Sequence, residues 1–151
     1  MEEKYNFVRF EAFRGDIDKF KLIHRSLIDE HCMYLAVENG HVKIVEYLKS
    51  LGYKVDFRSV FNIIYYCHIP MLKYLVENKD IKLIPNFYYS TIYPGEKYLE
   101  IIKYLISLNT PIPNDAITMA SQKGLTDIVK LLSEASELMK INEKINNLSI
   151  K

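Results

Sequence analysis

The sequence predicts an all-α protein, built as a helical solenoid of about five helix-turn-helix repeats, and two observations favour this class. The first is a recurring pattern of a short apolar segment, a turn residue and a longer apolar segment at helical spacing. The second is its period, because the residues that close successive segments lie 25, 27, 30 and 27 positions apart. These closing residues are Ile23, Leu48, Leu75, Leu105 and Leu132. A nearly fixed period is typical of stacked repeats, in which neighbouring units bury each other's apolar faces.

The clearest copy of the pattern is MYLAVENGHVKIVEYLKSLG, which centres on Gly40. Glycine adopts positive φ without a Cβ clash, so Gly40 can reverse the chain between a first and a second helix. The second helix is predicted at about 41–51, with Gly52 as its C-cap. The last repeat uses Gly124 in the same way, and Asn109 takes the capping role before it, since asparagine also tolerates the left-handed conformation.

A single domain over residues 1–151 is predicted to hold the repeats and a closing helix. The repeats are placed at about 5–29, 31–57, 58–84, 86–110 and 113–133, and a C-terminal capping helix at 134–149. Apolar residues at three-to-four spacing give this helix one face, which we expect to cover the end of the stack. They are Leu138, Ile141, Ile145 and Leu148. Four phenylalanines are expected to seal the first repeat. They are Phe7, Phe10, Phe13 and Phe20.

The segment HCMYLAVENGHVKIVEYLKSLGYKVD, from His31, resembles an ankyrin repeat, whose usual run is TPLHxAAxxGHxxIVxxLLxxGADVN. The matching residues are Leu35, Ala36, Gly40, His41, Ile44, Val45, Leu48, Gly52, Val55 and Asp56. The chain departs from the family pattern where His31 and Cys32 replace Thr-Pro and where Tyr34 replaces histidine. The resemblance is strong over 31–57, good over 115–132 and weak elsewhere.

Ankyrin repeats run to 33 residues, and the residues missing here fall near Ser59, where the family places a β-hairpin finger. The resemblance therefore implies an ankyrin-type solenoid with truncated β-hairpin fingers. Lysine outnumbers arginine 16 to 4, and isoleucine, asparagine and tyrosine are abundant, as expected of AT-rich coding DNA. Short, degenerate repeats in such a background are similar to those of large DNA viruses, although intracellular bacteria and protozoan parasites share the bias.

Composition argues against several partner classes. The formal net charge is +1, from 20 basic and 19 acidic residues, so no nucleic-acid partner is expected. No run approaches the ~20 apolar residues that span a bilayer, and the first residues lack the layout of a signal peptide. We therefore expect no membrane partner and a cytoplasmic location, in the host cytoplasm if the source is viral.

Catalytic and metal-binding patterns are poor. His24, Asp29, His31 and Cys32 are close in sequence, but they lack the Cys-x-x-Cys or His-x-x-x-His spacing of zinc sites. Cys67 and the histidine after it lie at a predicted turn, where a nucleophile would have no cleft. The sequence thus predicts no enzyme, no catalytic residue, no metal, no cofactor and no small-molecule substrate. An enzyme with a cryptic metal site at 24–32 stays a third interpretation.

We expect a non-enzymatic protein–protein interaction module. The resemblance implies partner-binding residues on a concave face, before each turn and where the fingers would begin. They are Glu38, Asn39, Phe57, Arg58, Tyr65, Tyr66, Phe87, Tyr88, Tyr89, Gln122 and Lys123. The tyrosines among them suit protein recognition, or they fill volume left by the missing fingers. If the source is viral, the resemblance implies a host factor in immune or ubiquitin signalling, which the protein would bind and block. The alternative is a structural protein that self-associates or packs within a larger particle; the sequence leaves the oligomeric state open.

Overall fold

The computed structural model describes residues 2–148, and its regular elements there are all helical, which confirms the all-α class. The α-helices are α1 (Glu2–Arg14), α2 (Ile17–Lys21), α3 (Glu30–Glu38), α4 (Val42–Ser50), α5 (Ser59–Tyr65), α6 (Ile69–Glu77), α7 (Glu96–Ser107), α8 (Asn114–Gln122) and α9 (Thr126–Leu148). Two 3-10 helices lie between them, at Arg25–Leu27 and Pro85–Thr91. The segment before Ser59 where the resemblance implies a shortened finger, 53–56, is irregular.

The chain divides into two compact units, Met1–Lys82 and Leu83–Lys151. In the first unit the helices form three pairs, α1 with α2, α3 with α4 and α5 with α6. The first members of the pairs pack in one row, with α3 between α1 and α5, and the second members pack in another, with α4 between α2 and α6. The ankyrin-type solenoid and the single domain over 1–151 stay predictions.

The core of the first unit comes from the apolar faces that the repeat pattern places inside. Its fully buried side chains include Phe20, Met33, Val37, Ile44, Leu48, Ile63, Ile64, Met71, Leu72 and Leu75. A salt bridge links α4 to the residues that follow α6, since Lys49 Nζ lies 2.6 Å from Asp80 Oδ2. Partial burial opposes the charge of Lys49, but the hydrogen bonds from its ammonium group to Asp80 and Tyr74 raise its pKa overall. Lys49 therefore stays protonated and holds the end of α6 on α4.

The turn within a helix pair has one geometry in several places. At Gly40 the backbone is left-handed, with φ of 76°, and His41 N–H donates to the Ala36 carbonyl at 2.9 Å. Cys67 and Gly124 are also left-handed and are followed by the same hydrogen bond. The turn predicted at Gly40 and Gly124 is therefore confirmed, and Cys67 adopts it without being glycine.

The second helices of three pairs also end on a left-handed residue. Gly52, Lys79 and Asn109 have φ values of 94°, 57° and 53°, and the next N–H in each case returns to the last turn of the helix. Gly52 and Asn109 thus have the left-handed conformation predicted for them, one position after the C-cap residues Leu51 and Leu108. Lys79 holds the same conformation although its Cβ makes that conformation costly.

Two turn histidines pack on glycines of the preceding helix pair. The His41 ring lies so close to Gly15 that a Cβ there would come within 2.4 Å of it, and His41 Nε2 is 2.7 Å from the Phe13 carbonyl oxygen. His68 covers Gly40 in the same way, with 3.0 Å for a hypothetical Cβ. These contacts fix how one pair of the first unit seats on the pair before it.

In the second unit the 3-10 helix at Pro85–Thr91 packs on α7, while α9 packs on both α7 and α8. Its fully buried side chains include Phe87, Tyr88, Ile92, Ile101, Ile102, Leu105, Ala116, Ala120 and Leu132. Tyr88 donates its hydroxyl hydrogen to the Thr110 carbonyl at 3.1 Å, inside this core. The fourth repeat thus begins with a 3-10 helix instead of an α-helix.

Two expectations about the ends of the chain are wrong. Phe20 is buried as predicted, but Phe7, Phe10 and Phe13 are about half exposed, so they do not seal the first repeat. The capping helix predicted at 134–149 is not a separate element within the described residues, because α9 continues through 134 without a break. No glycine or proline interrupts α9, which explains this continuity.

The apolar face expected to cap the stack is exposed as well. Leu138 is 60% and Leu148 75% exposed, and Ile141 and Ile145 are about half exposed. Within residues 134–148 of α9, Ser136 is the only buried side chain. The final position of the predicted helix, 149, lies outside the described residues.

Candidate protein interface on helices α3 and α5

Five residues on neighbouring helices form a polar and aromatic patch, which we call the α3–α5 surface. His31, Tyr34 and Glu38 lie three and four positions apart on α3, so they share one side of that helix. Asn62 lies on α5, and Tyr66 is the C-cap residue of that helix. Since α3 and α5 pack side by side, the two sets meet on one surface of the first unit.

A hydrogen-bond network organises this surface. The Asn62 amide donates to Glu38 Oε1 at 2.8 Å and to the Tyr34 hydroxyl at 3.0 Å. The Tyr34 hydroxyl in turn donates to Glu38 Oε1 at 3.4 Å. Both interactions hold the Glu38 carboxylate through one oxygen, so its other oxygen, Oε2, is left for a different donor. Asn62 thus ties α5 to α3 and fixes the carboxylate in place.

Aromatic rings surround the network. The Tyr65 and Tyr66 rings meet edge to face with centroids 5.1 Å apart, and the two side chains are 45% and 56% exposed. The His31 ring stacks on Tyr34 at 5.7 Å. Tyr66 also lies 6.3 Å from the His68 ring. A large aromatic area is therefore accessible on these two helices.

The protonation of Tyr34 follows from the same neighbours. Partial burial and the adjacent Glu38 carboxylate raise the pKa of Tyr34, and the Tyr66 hydroxyl acts in the same direction. Tyr34 therefore keeps its proton at neutral pH and remains a donor to Glu38.

A groove of about 850 Å³ begins at one edge of the α3–α5 surface. His31 and Tyr34 line it together with the irregular segment after α4, including Tyr53 and Arg58. Arg58 donates to Asp56 at 2.6 Å, and its hydrogen bonds hold the pKa of that carboxyl below the usual value. Because the pair is solvent-exposed, it orients Arg58 more than it stabilises the fold.

The remaining predicted interface residues of the first unit have mixed surroundings. Asn39 is partly buried, and its amide donates to the Leu35 carbonyl at 2.8 Å, which closes the end of α3. Phe57 is half exposed and meets Phe61 edge to face at 5.9 Å. Their role in binding a partner stays a prediction.

In the second unit the structure corrects two predicted interface residues. Phe87 and Tyr88 have no exposed surface, so neither can touch a partner. Burial raises the pKa of Tyr88 far above its usual value, as expected of a phenol in an apolar core. Tyr88 therefore fills internal volume, which is the alternative left open for the tyrosines, and Phe87 is a core residue as well.

The other predicted residues of the second unit lie nearer the surface. Tyr89 is partly exposed and donates to Asp115 Oδ1 at 2.7 Å. Gln122 is exposed at the end of α8. Lys123 donates to the Ile92 carbonyl at 2.9 Å and lies 4.5 Å from the centre of the Tyr93 ring, so its ammonium group is held against its own unit.

Sequence reasoning missed three members of the α3–α5 surface. In the sequence, Tyr34 is a departure from the family pattern and His31 is both a departure and a candidate zinc ligand, and none of the three, Asn62 included, is predicted at an interface. The available signal was the spacing of Tyr34 and Glu38 on α3 and of Asn62 and Tyr66 on α5, four positions in each case. The residues of each pair share one side of their helix, but the sequence does not show that these sides of α3 and α5 lie next to each other.

No group of three histidine, cysteine, aspartate or glutamate side chains within residues 2–148 converges enough to hold a metal ion. Among the four residues weighed as zinc ligands, Asp29 binds Arg9 at 2.6 Å and caps α3 through Cys32 N–H. Burial raises the pKa of the Cys32 thiol to about 11, so it is not a thiolate at neutral pH. His24 caps the first 3-10 helix through Ser26 N–H.

The described helices, α1 to α9, include none that is both long and apolar enough to cross a membrane. Comparison with protein-family models, with curated proteins and with solved structures finds no match to this chain.

Proposed function

We propose that this chain is a non-enzymatic protein-interaction module and that it binds its partner through the α3–α5 surface. The observation that carries the proposal is the exposed Tyr65–Tyr66 pair at the end of α5, on the helix whose Asn62 holds the Glu38 carboxylate of α3 in a fixed position. Tyrosine offers a large contact area, a polar end and little rotamer entropy, which is why it is enriched where proteins bind each other. The adjoining groove extends the area that a partner could cover.

The wider setting of the proposal rests on the resemblance of 31–57 to an ankyrin repeat. On that basis the chain is an ankyrin-type protein with short repeats, acting in the cytoplasm. If its source is viral, the partner is a host protein of immune or ubiquitin signalling, which the chain blocks by occupying it. The recurring left-handed turns and the paired helices support a repeat protein.

Affinity capture from host-cell lysate tests the proposal. The full chain, a Tyr65→Ala/Tyr66→Ala variant and a Leu138→Ala/Ile141→Ala variant would be used as baits, followed by mass spectrometry. The second variant is a matched control, since it removes two exposed apolar side chains from α9 instead of α5. We expect a partner that the full chain and the α9 variant retain and the tyrosine variant loses, with unchanged helical circular dichroism. Unfolding of the tyrosine variant, or equal capture by all three baits, would contradict the proposal.

A second candidate function is self-association, and the exposed apolar face of α9 favours it. Leu138, Ile141 and Leu148 follow a three-and-seven spacing on a polar helix, which is the pattern of a helix that packs against another. Sedimentation velocity over a wide concentration range tests it. Defined oligomers that dissociate on Leu138→Lys/Ile141→Lys substitution would support it, and a monomer at every concentration would exclude it.

A further inference from the structure

The Glu38 carboxylate stands out within the α3–α5 surface because no cation among the described residues pairs with its charge. None of the ion pairs among residues 2–148 involves it. Its Oε1 atom takes both hydrogen bonds of the network, from Asn62 and Tyr34. Its Oε2 atom accepts no hydrogen bond from the described residues, nor is it among their buried unpaired oxygens. A fixed anionic acceptor is therefore open to solvent.

The neighbouring aromatic rings indicate which kind of cation would bind the Glu38 carboxylate. Tyr66 ends α5, four positions after Asn62, and is 56% exposed, while Tyr34 donates to Glu38 and carries the stacked His31 ring. The face of a tyrosine ring is electron-rich and attracts a cation that lies within about 6 Å of its centre. An anion flanked by such rings favours a cation with a flat, weakly hydrated group, which can stack on a ring while it donates to a carboxylate.

We infer that the α3–α5 surface receives an arginine side chain of the partner protein, with the guanidinium group donating to Glu38 Oε2 and packing against Tyr66. This inference rests on the proposed function, since it names the chemistry of the same interface. Arginine fits better than lysine because its planar group stacks on aromatic rings and sheds water more easily than an ammonium group. The neighbouring groove takes the chain that carries the arginine.

The site can be tested without knowing the partner. The probes are the peptides acetyl-Gly-Arg-Gly-amide and acetyl-Gly-citrulline-Gly-amide, which have nearly the same shape but differ in charge. Each would be titrated into the full, isotope-labelled chain, with NMR shifts of backbone amides and tyrosine rings as the readout. We expect the arginine peptide to shift Tyr34, Glu38 and Tyr66, with an effect that weakens as salt is added. The citrulline peptide should shift them much less.

Substitutions then locate the binding. Glu38→Gln keeps the size of the side chain but removes its charge, and it should weaken binding of the arginine peptide at least about fivefold. Glu46→Gln is the matched control, because Glu46 is an exposed carboxylate on α4. Tyr66→Ala should weaken binding roughly threefold, and Tyr66→Phe should keep it, since the ring is what matters.

Equal shifts with both peptides, no shifts at all, or equal effects of Glu38→Gln and Glu46→Gln would overturn the inference. The proposed function is judged separately by partner capture. If Glu38→Gln bait still captures a partner that Tyr65→Ala/Tyr66→Ala loses, the interface stands and the arginine site is wrong. If no partner is captured but the arginine peptide binds at Glu38, the site stands and the protein-binding function fails.

Discussion

At the residue scale, the turns show that a residue's place in the repeat can decide its backbone conformation even when the residue type disfavours it. Gly40, Gly52 and Gly124 take positive φ at little cost, but Cys67 and Lys79 take it against the preference of any residue with a Cβ. In each of these turns a backbone hydrogen bond back to the preceding helix holds the conformation. Residues other than glycine at such positions therefore carry strain that a substitution can relieve.

We predict that Lys79→Gly stabilises the protein by about 1 kcal/mol, because glycine removes the Cβ clash at φ of 57°. The matched control is Lys103→Gly, which places the same substitution on the exposed side of α7. There it should destabilise by about 1 kcal/mol, since glycine disfavours a helix interior. Urea unfolding of both variants measures the change in the free energy of unfolding. If both variants are stabilised, or both destabilised, the account of the turn is wrong.

Tyr88 should behave as a core residue and Tyr66 as a surface residue. Tyr88→Phe removes the hydroxyl that donates to the Thr110 carbonyl and leaves a buried acceptor unpaired, so it should cost about 1–2 kcal/mol. Tyr66→Phe should change the free energy of unfolding by less than about 0.5 kcal/mol. Thermal or urea unfolding checks the pair. If Tyr88→Phe is neutral, the assignment of this ring to the core fails.

The Asp29–Arg9 ion pair predicts a dependence of stability on pH. Burial disfavours the charged form of Asp29, but hydrogen bonds from Arg9 and Cys32 outweigh it and hold the pKa below its usual value of 3.8. The stabilisation is therefore present above pH 3.8 and is lost as the pH falls through the lower folded-state pKa.

Asp29→Asn separates this ion pair from the helix cap, because asparagine still caps α3. At pH 7 it should cost at most about 1 kcal/mol, given the partial exposure of both side chains. Asp29→Ala should cost about 1 kcal/mol more through loss of the cap. Unfolding at a series of pH values should show the cost of Asp29→Asn shrinking below pH 3.8. If the cost of Asp29→Asn grows as the pH falls, the predicted direction of the pH dependence is wrong.

At the element scale, α9 shows what a repeat pattern leaves open. Its first part pairs with α8 and buries Ile128 and Leu132, as the last repeat requires. Its second part continues as one helix, with Leu138 and Ile141 exposed. The sequence offered a sign of this continuity, since neither glycine nor proline follows Leu125. Whether the apolar face would be covered depended on tertiary packing, which periodicity does not report.

The two parts of α9 should respond differently to substitution. Leu132→Ala removes a buried side chain and should cost about 2–5 kcal/mol. Leu138→Ala removes an exposed one and should cost less than about 0.5 kcal/mol. Denaturant unfolding at low protein concentration, where self-association is suppressed, measures both. A large cost at Leu138 would mean that this face is covered in solution.

The helix pairs and most of their turns could be predicted from the sequence because those features are local. Gly40, with apolar residues at helical spacing on both sides, defines a helix, a turn and a second helix without further information. The fate of the aromatic side chains could not be predicted in this way. Buried Tyr88 donates to Thr110, and Glu38 accepts from Asn62, and both contacts join positions more than 20 residues apart.

At the scale of the whole molecule, each unit has a buried apolar core of its own and exposes a distinct surface. The first unit presents the α3–α5 surface with its groove, and the second presents the apolar face of α9. The former offers aromatic rings around a fixed charge, which suits a specific partner. The latter offers aliphatic side chains alone, which suits another copy of the same helix. The two surfaces therefore lead to different functions, and they can be distinguished experimentally.

Hydrogen–deuterium exchange of the full chain, alone and with a captured partner, tests the central claim most directly. Binding to the α3–α5 surface should slow exchange of backbone amides in 31–38 and 59–66, with little change in 138–148. Protection confined to 138–148, or spread evenly over the chain, would contradict the assignment of the interface to α3 and α5.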